Sequence, residues 1–256
     1  MILFEQVHFS YGTRPVLREF SFSIQQNERV AILGGSGEGK TTILRLILGL
    51  LKPDAGRILI DGTDILDQPE DRLNDIRKNF SVVFQEGALF DSLSVKENVA
   101  FGLREYTRMT EEALNDKVRE MLGMVGLEDA LELMPEELSG GMNRRVAIVR
   151  SLAAFDPKMF LYDEPTTGLD PVNADVICQL ILNLSGGGKG FLVITHKIYD
   201  AMRLASRFMF IKKASIIFDG KKEELIQSPI PEIQIYLREL GLGTWSPLRQ
   251  AGGSDV

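Results

Sequence analysis

From residue 1 to about 62, apolar residues either alternate with polar ones or gather in short runs. Phe20, Phe22 and Ile24 alternate with Ser21 and Ser23, and Ile58, Leu59 and Ile60 run up to an Asp61-Gly62 turn. A period of two bounded by turn residues predicts strands. Between them, Val30, Ala31, Ile32 and Leu33 predict a short buried strand, followed by a glycine-rich loop and a helical run over 41–51 closed by Pro53.

The pattern then changes period. Thr110 is an N-cap candidate with Glu111 and Glu112 behind it, and Leu114, Val118, Met121, Leu122 and Val125 form one apolar stripe of an amphipathic helix. Short strands return over 159–162, 191–195, 208–211 and 215–218, separated by helical stretches around 172–184 and 198–206. The expectation is an α/β core carrying a helical insertion at roughly 86–156. The core closes near residue 226, and 227–256 make a C-terminal helix and tail. Pro229 and Pro231 introduce that helix, with Ile233, Tyr236, Leu237 and Leu240 on one face. Gly241, Gly243 and a loose tail holding the only tryptophan, Trp245, follow. Only Gly186-Gly187-Gly188 is of low complexity, and no repeat of 20 to 50 residues occurs.

Composition narrows the function classes. At roughly 100 to 200 residues per domain, 256 residues predict one domain with an insertion. A net charge of -7 disfavours direct binding to nucleic-acid phosphates or anionic lipid, local basic patches aside. The one cysteine, Cys178, can form neither an internal disulfide nor a multi-cysteine metal site and reads as buried and apolar, which suits a reducing compartment. No apolar run approaches the roughly 18 residues that span a bilayer; the stretch 43–51 is interrupted by Arg45. The start MILFEQVHF lacks a basic leader, so a bacterial cytosolic protein is expected.

The chemistry begins at the glycine-rich loop. Gly34, Gly35, Ser36, Gly37, Glu38, Gly39, Lys40 and Thr41 fit the phosphate-binding G-x-x-x-x-G-K-[ST] pattern between a strand and a helix. Glycines let successive N–H groups face the phosphates of a nucleotide, Lys40 supplies a point charge and Thr41 offers a hydroxyl to Mg²⁺. A purely structural turn is the alternative. GTPases, kinases, helicases and transporter ATPases share such a loop, but the guanine-reading N-K-x-D pattern is absent from the chain. Leu138, Ser139, Gly140, Gly141 and Met142 discriminate among the rest: with Ser139 as N-cap and a helical run over 143–152, they aim bare N–H groups and a helix dipole at a second anion.

At this point the sequence resembles the ATP-binding cassette (ABC) ATPases over residues 1 to about 226, with Met142 where the signature LSGGQ has Gln. The resemblance implies a P-loop core with an antiparallel β subdomain and an inserted α-helical subdomain. It also implies a homodimer in which Ser139, Gly140 and Gly141 of one subunit close on the γ-phosphate held by the other. The strand Phe160, Leu161, Tyr162 ending in Asp163 and Glu164 is similar to Walker B, Asp163 orienting Mg²⁺ and Glu164 polarising the attacking water. By the same resemblance His196 is the γ-phosphate switch, with Lys197 standing where an Asp is common, and Gln85 ligates Mg²⁺ through its amide oxygen. Tyr11 stacks on adenine, core packing being its alternative role. Thr42 joins the phosphate-loop residues, and Asp170, in Gly168-Leu169-Asp170, lies in the D-loop that crosses the dimer seam.

The stretch from Gly87 to Phe101, GALFDSLSVKENVAF, resembles the ATPases of Mla and Mce-type lipid transporters. That likeness implies phospholipid or lipid transport across the bacterial envelope, with separately encoded permease subunits and accessory lipid-binding and regulatory subunits. The protein is then expected on the cytoplasmic face of the inner membrane. Leu89, Phe90 and Leu93 are expected to be exposed there as a permease-docking surface. A generic ABC importer or exporter, a soluble ABC ATPase of iron-sulfur cluster assembly or DNA repair, and a non-hydrolysing regulatory module are the competing readings. The coiled-coil interruption of the repair proteins is absent and Glu164 is present.

Overall fold

The computed structural model describes residues 1–85, 87–153 and 155–242; Gly243 and the tail with Trp245 lie outside the described residues. Strands β1 (Ile2–Tyr11) and β2 (Arg14–Ile24) form a hairpin. Strand β3 (Arg29–Leu33) then leaves for a second sheet and leads to helix α1 (Lys40–Ile47), while β4 (Ala55–Ile60) and β5 (Thr63–Asp64) return to the first. That first sheet is antiparallel, in the order β2-β1-β4-β5. Its alternation puts Ile2, Phe4, Phe20, Ile24, Ile58 and Ile60 on the buried face, and an irregularity between Phe4 and Val7, with Gln6 at φ +49°, returns Val7 to it, in one core with Ile43, Leu44 and Ile47 of α1. Helix α1 ends before the expected Pro53. Gly49, at φ +61°, takes the left-handed position, and the N–H groups of Gly49 and Leu50 close on the Leu46 and Arg45 carbonyls.

Helix α2 (Glu70–Arg77), which the sequence pattern does not reveal, precedes β6 (Phe80–Val83). Ile76 is its only buried residue, so it lacks an apolar stripe. Between β6 and β7 (Met159–Asp163) stand α3 (Val95–Tyr106), α4 (Glu111–Gly123) and α5 (Gly140–Ala153). They enclose a core of their own, including Val99, Leu103, Leu114, Val118, Leu122, Val146 and Val149. Thr110 caps α4 as its sequence suggests. Helix α5 begins at Gly140, earlier than the expected 143, so the glycines are themselves its first turn. Ser139 accepts from the Met142 N–H at 3.2 Å.

The chain continues through α6 (Pro171–Leu184), β8 (Gly190–Thr195), α7 (Ile198–Leu204), β9 (Arg207–Lys212), β10 (Ser215–Lys221), α8 (Lys222–Ile226) and α9 (Pro231–Arg238). The second sheet runs β10-β9-β3-β8-β7-β6, parallel from β9 to β6, with β10 antiparallel at one edge. Every residue of β7 and β8 is buried, as expected for strands covered on both faces. Because β8 lies between β3 and β7, the segments leaving those three strands meet at one end of the sheet: Leu33 pairs with Thr195, and Asp163 with Ile194.

The stretch after β6 departs from its expected openness. Phe90 is exposed, its ring tilted against that of exposed Phe101 with centroids 4.8 Å apart and covered by the Arg150 guanidinium at 5.1 Å. Leu89 and Leu93 are only half-exposed, and Leu89 packs against two cores. Buried Asn98 fixes this stretch, donating to the Phe90, Leu93 and Ser94 carbonyls and accepting from the Phe90 N–H.

Candidate active site

Gly39 precedes the first residue of helix α1, and its φ of +92° and close approach to β2 admit only glycine, since a Cβ would collide with the Val16 side chain. No side chain caps α1 and no acid stands in its first turn, which leaves its N-terminal N–H groups and positive dipole end for an anion. Buried Lys40 bridges the loop, donating to the carbonyls of Gly34 at 2.9 Å and Gly35 at 3.0 Å. Glu38, expected at the phosphates, instead binds the β9–β10 turn: it accepts from the Lys213 N–H at 2.9 Å and pairs with Lys212 at 3.3 Å.

At the end of β7 the two acids part company. Glu164 has φ +49°, a left-handed conformation unusual for a side-chain-bearing residue, and its N–H is held by the Ile194 carbonyl at 2.8 Å. Its carboxylate meets His196 Nδ1 at 2.9 Å, Thr167 Oγ1 at 2.9 Å, Thr195 Oγ1 at 3.1 Å and Lys40 Nζ at 3.6 Å. Burial pushes this carboxyl up, but the His196 and Thr167 hydrogen bonds and the electrostatic pull of His196 and Lys40 outweigh burial and hold it below the usual range. Asp163 goes the other way. Burial pushes its carboxyl up, with the Glu164 charge adding to that and the Thr41 hydroxyl opposing it.

Asp163 Oδ1 is buried with no hydrogen-bond partner. An orphaned carboxylate oxygen beside a threonine hydroxyl fits a Mg²⁺ site, because Mg²⁺ takes one or two protein oxygens and completes its shell with phosphate and water. Among the described residues no group of three or more His, Cys, Asp or Glu could hold a metal, so such an ion would arrive with phosphates.

A cleft of about 490 Å³ joins most of the expected residues, namely Tyr11, Gly35, Ser36, Gly37, Gly39, Lys40, Thr41, Thr42, Gln85, Glu164 and His196. Tyr11 is held edge-on to Phe9, 4.9 Å away, and remains 46% exposed, so its ring face is free to stack. The signature residues Ser139, Gly140 and Gly141 do not line this cleft, nor does Asp170. Within the protomer Asp170 caps α6, accepting from the Val172 and Asn173 N–H groups. Buried Arg144 of α5 links the helical unit to the cleft, donating to the Phe84 carbonyl beside Gln85 and to the Thr167 carbonyl beyond Glu164.

Sequence reasoning missed Arg14 and Tyr236, which also line the cleft. In the sequence pattern Tyr236 is only one residue of the apolar face of the C-terminal helix. Lys197, which departs from the family pattern, donates to the Thr166 carbonyl at 2.7 Å, and the Thr166 hydroxyl bonds buried Asp200. The segment after β8 is thereby fastened to the segment after β7.

Comparison with known proteins bears on this geometry. The family model described as ABC transporter matches residues 17–167. The chain is 37% identical to the intermembrane phospholipid transport system ATP-binding protein MlaF of Escherichia coli K12, over 96% of this chain and 91% of that protein. Against MlaF of Haemophilus influenzae it is 38% identical over 89% and 86%. A probable ribonucleotide transport ATP-binding protein, mkl of Mycobacterium tuberculosis, is 36% identical over 91% of this chain but only 65% of its own length. Among solved structures, the dimeric ATP-binding cassette MJ0796 in a post-hydrolysis state with ADP and Pi superposes with a TM-score of 0.79 at 33% identity, covering 86% of this chain and 98% of that one. The cassette cbiO1 of Clostridium perfringens, part of the complex cbiONQ, gives 0.77 at 29% identity, covering 94% and 96%.

Proposed function

The chain belongs to the ABC transporter family, and on that premise we propose that it is the ATP-hydrolysing subunit of a transporter that moves phospholipid across the bacterial envelope. The observation that carries the hydrolytic part is the Glu164 carboxylate, held ionised against His196 and 3.6 Å from the phosphate-loop lysine. Lys40 and the α1 N-terminus bind the phosphates, while Thr41 and Asp163, with Gln85, would hold Mg²⁺, which would supply neutralising charge to the phosphates. Glu164 accepts a proton from the water that attacks the γ-phosphorus, and the bond from phosphorus to the ADP oxygen breaks. His196 orients Glu164 and the terminal phosphate, and Tyr11 stacks on the base.

Ser139, Gly140 and Gly141 act on a second copy of the chain, because the N-terminus of α5 does not line the cleft of its own protomer. Asp170 belongs to the same seam. A homodimer therefore carries two composite sites. The dimeric state of the MJ0796 cassette supports this arrangement.

The cargo rests on the likeness to the phospholipid transport proteins, which runs nearly the full length of both chains. Among the described residues no helix is long and apolar enough to cross a membrane; in this reading separately encoded permease subunits supply the path for lipid. The ATPase then sits peripherally on the cytoplasmic face of the inner membrane, alongside accessory lipid-binding and regulatory subunits. Extraction of the complex in mild detergent tests this reading. A membrane permease and phospholipid are expected to copurify; an iron-sulfur scaffold, or a permease carrying another cargo, would replace it.

A further inference from the structure

Tyr236 reaches the nucleotide cleft from the far end of the chain. Helix α9 is anchored by Ile233 and Leu237, both fully buried, and by Gln234, whose side-chain amide donates to the Ser228 carbonyl at 2.7 Å. This fixes the helix on the sheet. The Tyr236 ring then packs edge-on against Phe210 of β9, centroids 4.9 Å apart, which sets the direction of its hydroxyl. That hydroxyl lies 4.0 Å from where a Cβ on Gly35 would stand, and Tyr236 lines the same cleft as Lys40, Glu164 and His196. Gly35 is the residue whose carbonyl Lys40 grips, so the hydroxyl stands at the terminal-phosphate end of the cradle.

The electrostatic setting keeps it a donor. Burial, together with the charges of Glu239, Glu164 and Glu38, pushes the phenol pKa up, so the proton stays on oxygen throughout the physiological range. A protonated hydroxyl facing a phosphate site can donate to a phosphate oxygen, whereas a carboxylate there would repel it.

We propose that Tyr236 binds the terminal phosphate, donating its hydroxyl hydrogen to a γ-phosphate oxygen, so that helix α9 registers whether ATP or ADP fills the cleft. The inference deepens the ATPase reading and rests on it. It gives the C-terminal helix a ligand contact in its own subunit, independent of the signature segment of a second copy.

Tyr236→Phe isolates the hydroxyl, because phenylalanine retains the contact with Phe210. Binding of ADP and of a non-hydrolysable ATP analogue is measured on the full chain. Removing a hydrogen bond to a charged phosphate is expected to weaken the analogue by about 10-fold or more, with ADP affinity kept within about twofold, the range of a neutral substitution. Equal losses for both nucleotides, or no loss for either, would overturn the proposal. A second readout uses the unaltered packing: 3-fluorotyrosine at position 236 is expected to shift its fluorine resonance with the ATP analogue and not with ADP. Identical spectra with the two nucleotides would also overturn it. If the parent chain bound neither nucleotide, the ATPase reading itself would fall; a parent that binds ATP beside an unaffected Phe variant removes only the role of Tyr236.

Discussion

Glu164 concentrates the conflict between folding and function at one residue. Its left-handed backbone strains any residue with a Cβ, and its burial disfavours a charge, yet His196, Thr167 and Lys40 hold it ionised. Glu164→Gln preserves the shape and removes the proton acceptor. ATP binding is expected to persist while hydrolysis slows by about 10² to 10⁴-fold; single-turnover kinetics check this, and a near-parental rate removes Glu164 from the mechanism. Lys40→Ala is expected to weaken binding itself, because it deletes the charge at the phosphates. The same ionisation has a thermodynamic signature. Since the folded carboxyl lies below its ordinary value of 4.5, it contributes stability that is present above that pH and is lost as pH falls through the lowered folded value. The melting temperature of the Gln variant is therefore expected to depend less steeply on pH in the acid range than that of the parent. Melting curves that stay parallel down to the acid limit contradict this.

At the scale of elements, the decisive joint lies between β6 and α3, where the chain passes from the cleft to the helical unit. Asn98 ties the Phe90 to Ser94 backbone to the start of α3, and the Ser94–Glu97 capping box closes that helix end. The joint leaves Phe90 and Phe101 as an exposed aromatic pair rimmed by Arg150, Asp91 and Ser92, whereas Leu89 is committed to the interior. An exposed apolar pair at the end of a nucleotide-linked segment suits a permease helix. Phe90→Asp is expected to leave folding and ATP binding intact, since the ring is 42% exposed, and to abolish permease copurification and lipid transport. Retained copurification would move the coupling surface elsewhere. Leu93→Asp, at a half-buried position, is the less clean variant because it also disturbs the joint.

In the whole molecule, Ser139, Gly140 and Gly141 do not line the phosphate cleft of their own protomer, and in the proposed homodimer a second copy completes the site. Hydrolysis per subunit is expected to rise with protein concentration and saturate once the dimer forms, as mass action requires for activity that belongs only to the associated state. Constant specific activity across dilutions far below the measured dimer population would dismiss the shared site. A mixture of Lys40→Ala and Gly140→Asp subunits offers the complementary reading: mixed dimers retain one intact composite site and are expected to recover part of the activity that each variant lacks alone.

The sequence by itself determined the parts of the site whose chemistry is local in the chain. The phosphate loop, the paired acids after an apolar strand and the capped glycine pair each need residues within a few positions of one another, and strand and helix periodicity placed them on the right elements. The lone cysteine's apolar character anticipated the burial of Cys178, while the antiparallel β subdomain beside the α/β core was legible only through the resemblance that these motifs carry. Tertiary structure alone decided what long-range packing creates. Strand order set β8 between β3 and β7, and so brought His196 and Lys40 to one carboxylate. Glu38 turned away to the β9–β10 turn because lysine charges wait there, and α2 formed without an apolar stripe to announce it. Tyr236 reached Gly35 because the apolar face of α9 packs on the sheet beside the loop, a contact between opposite ends of the chain that periodicity cannot encode. A residue's neighbours along the chain fix its propensity and its chemistry, whereas its neighbours in space depend on which buried faces find each other.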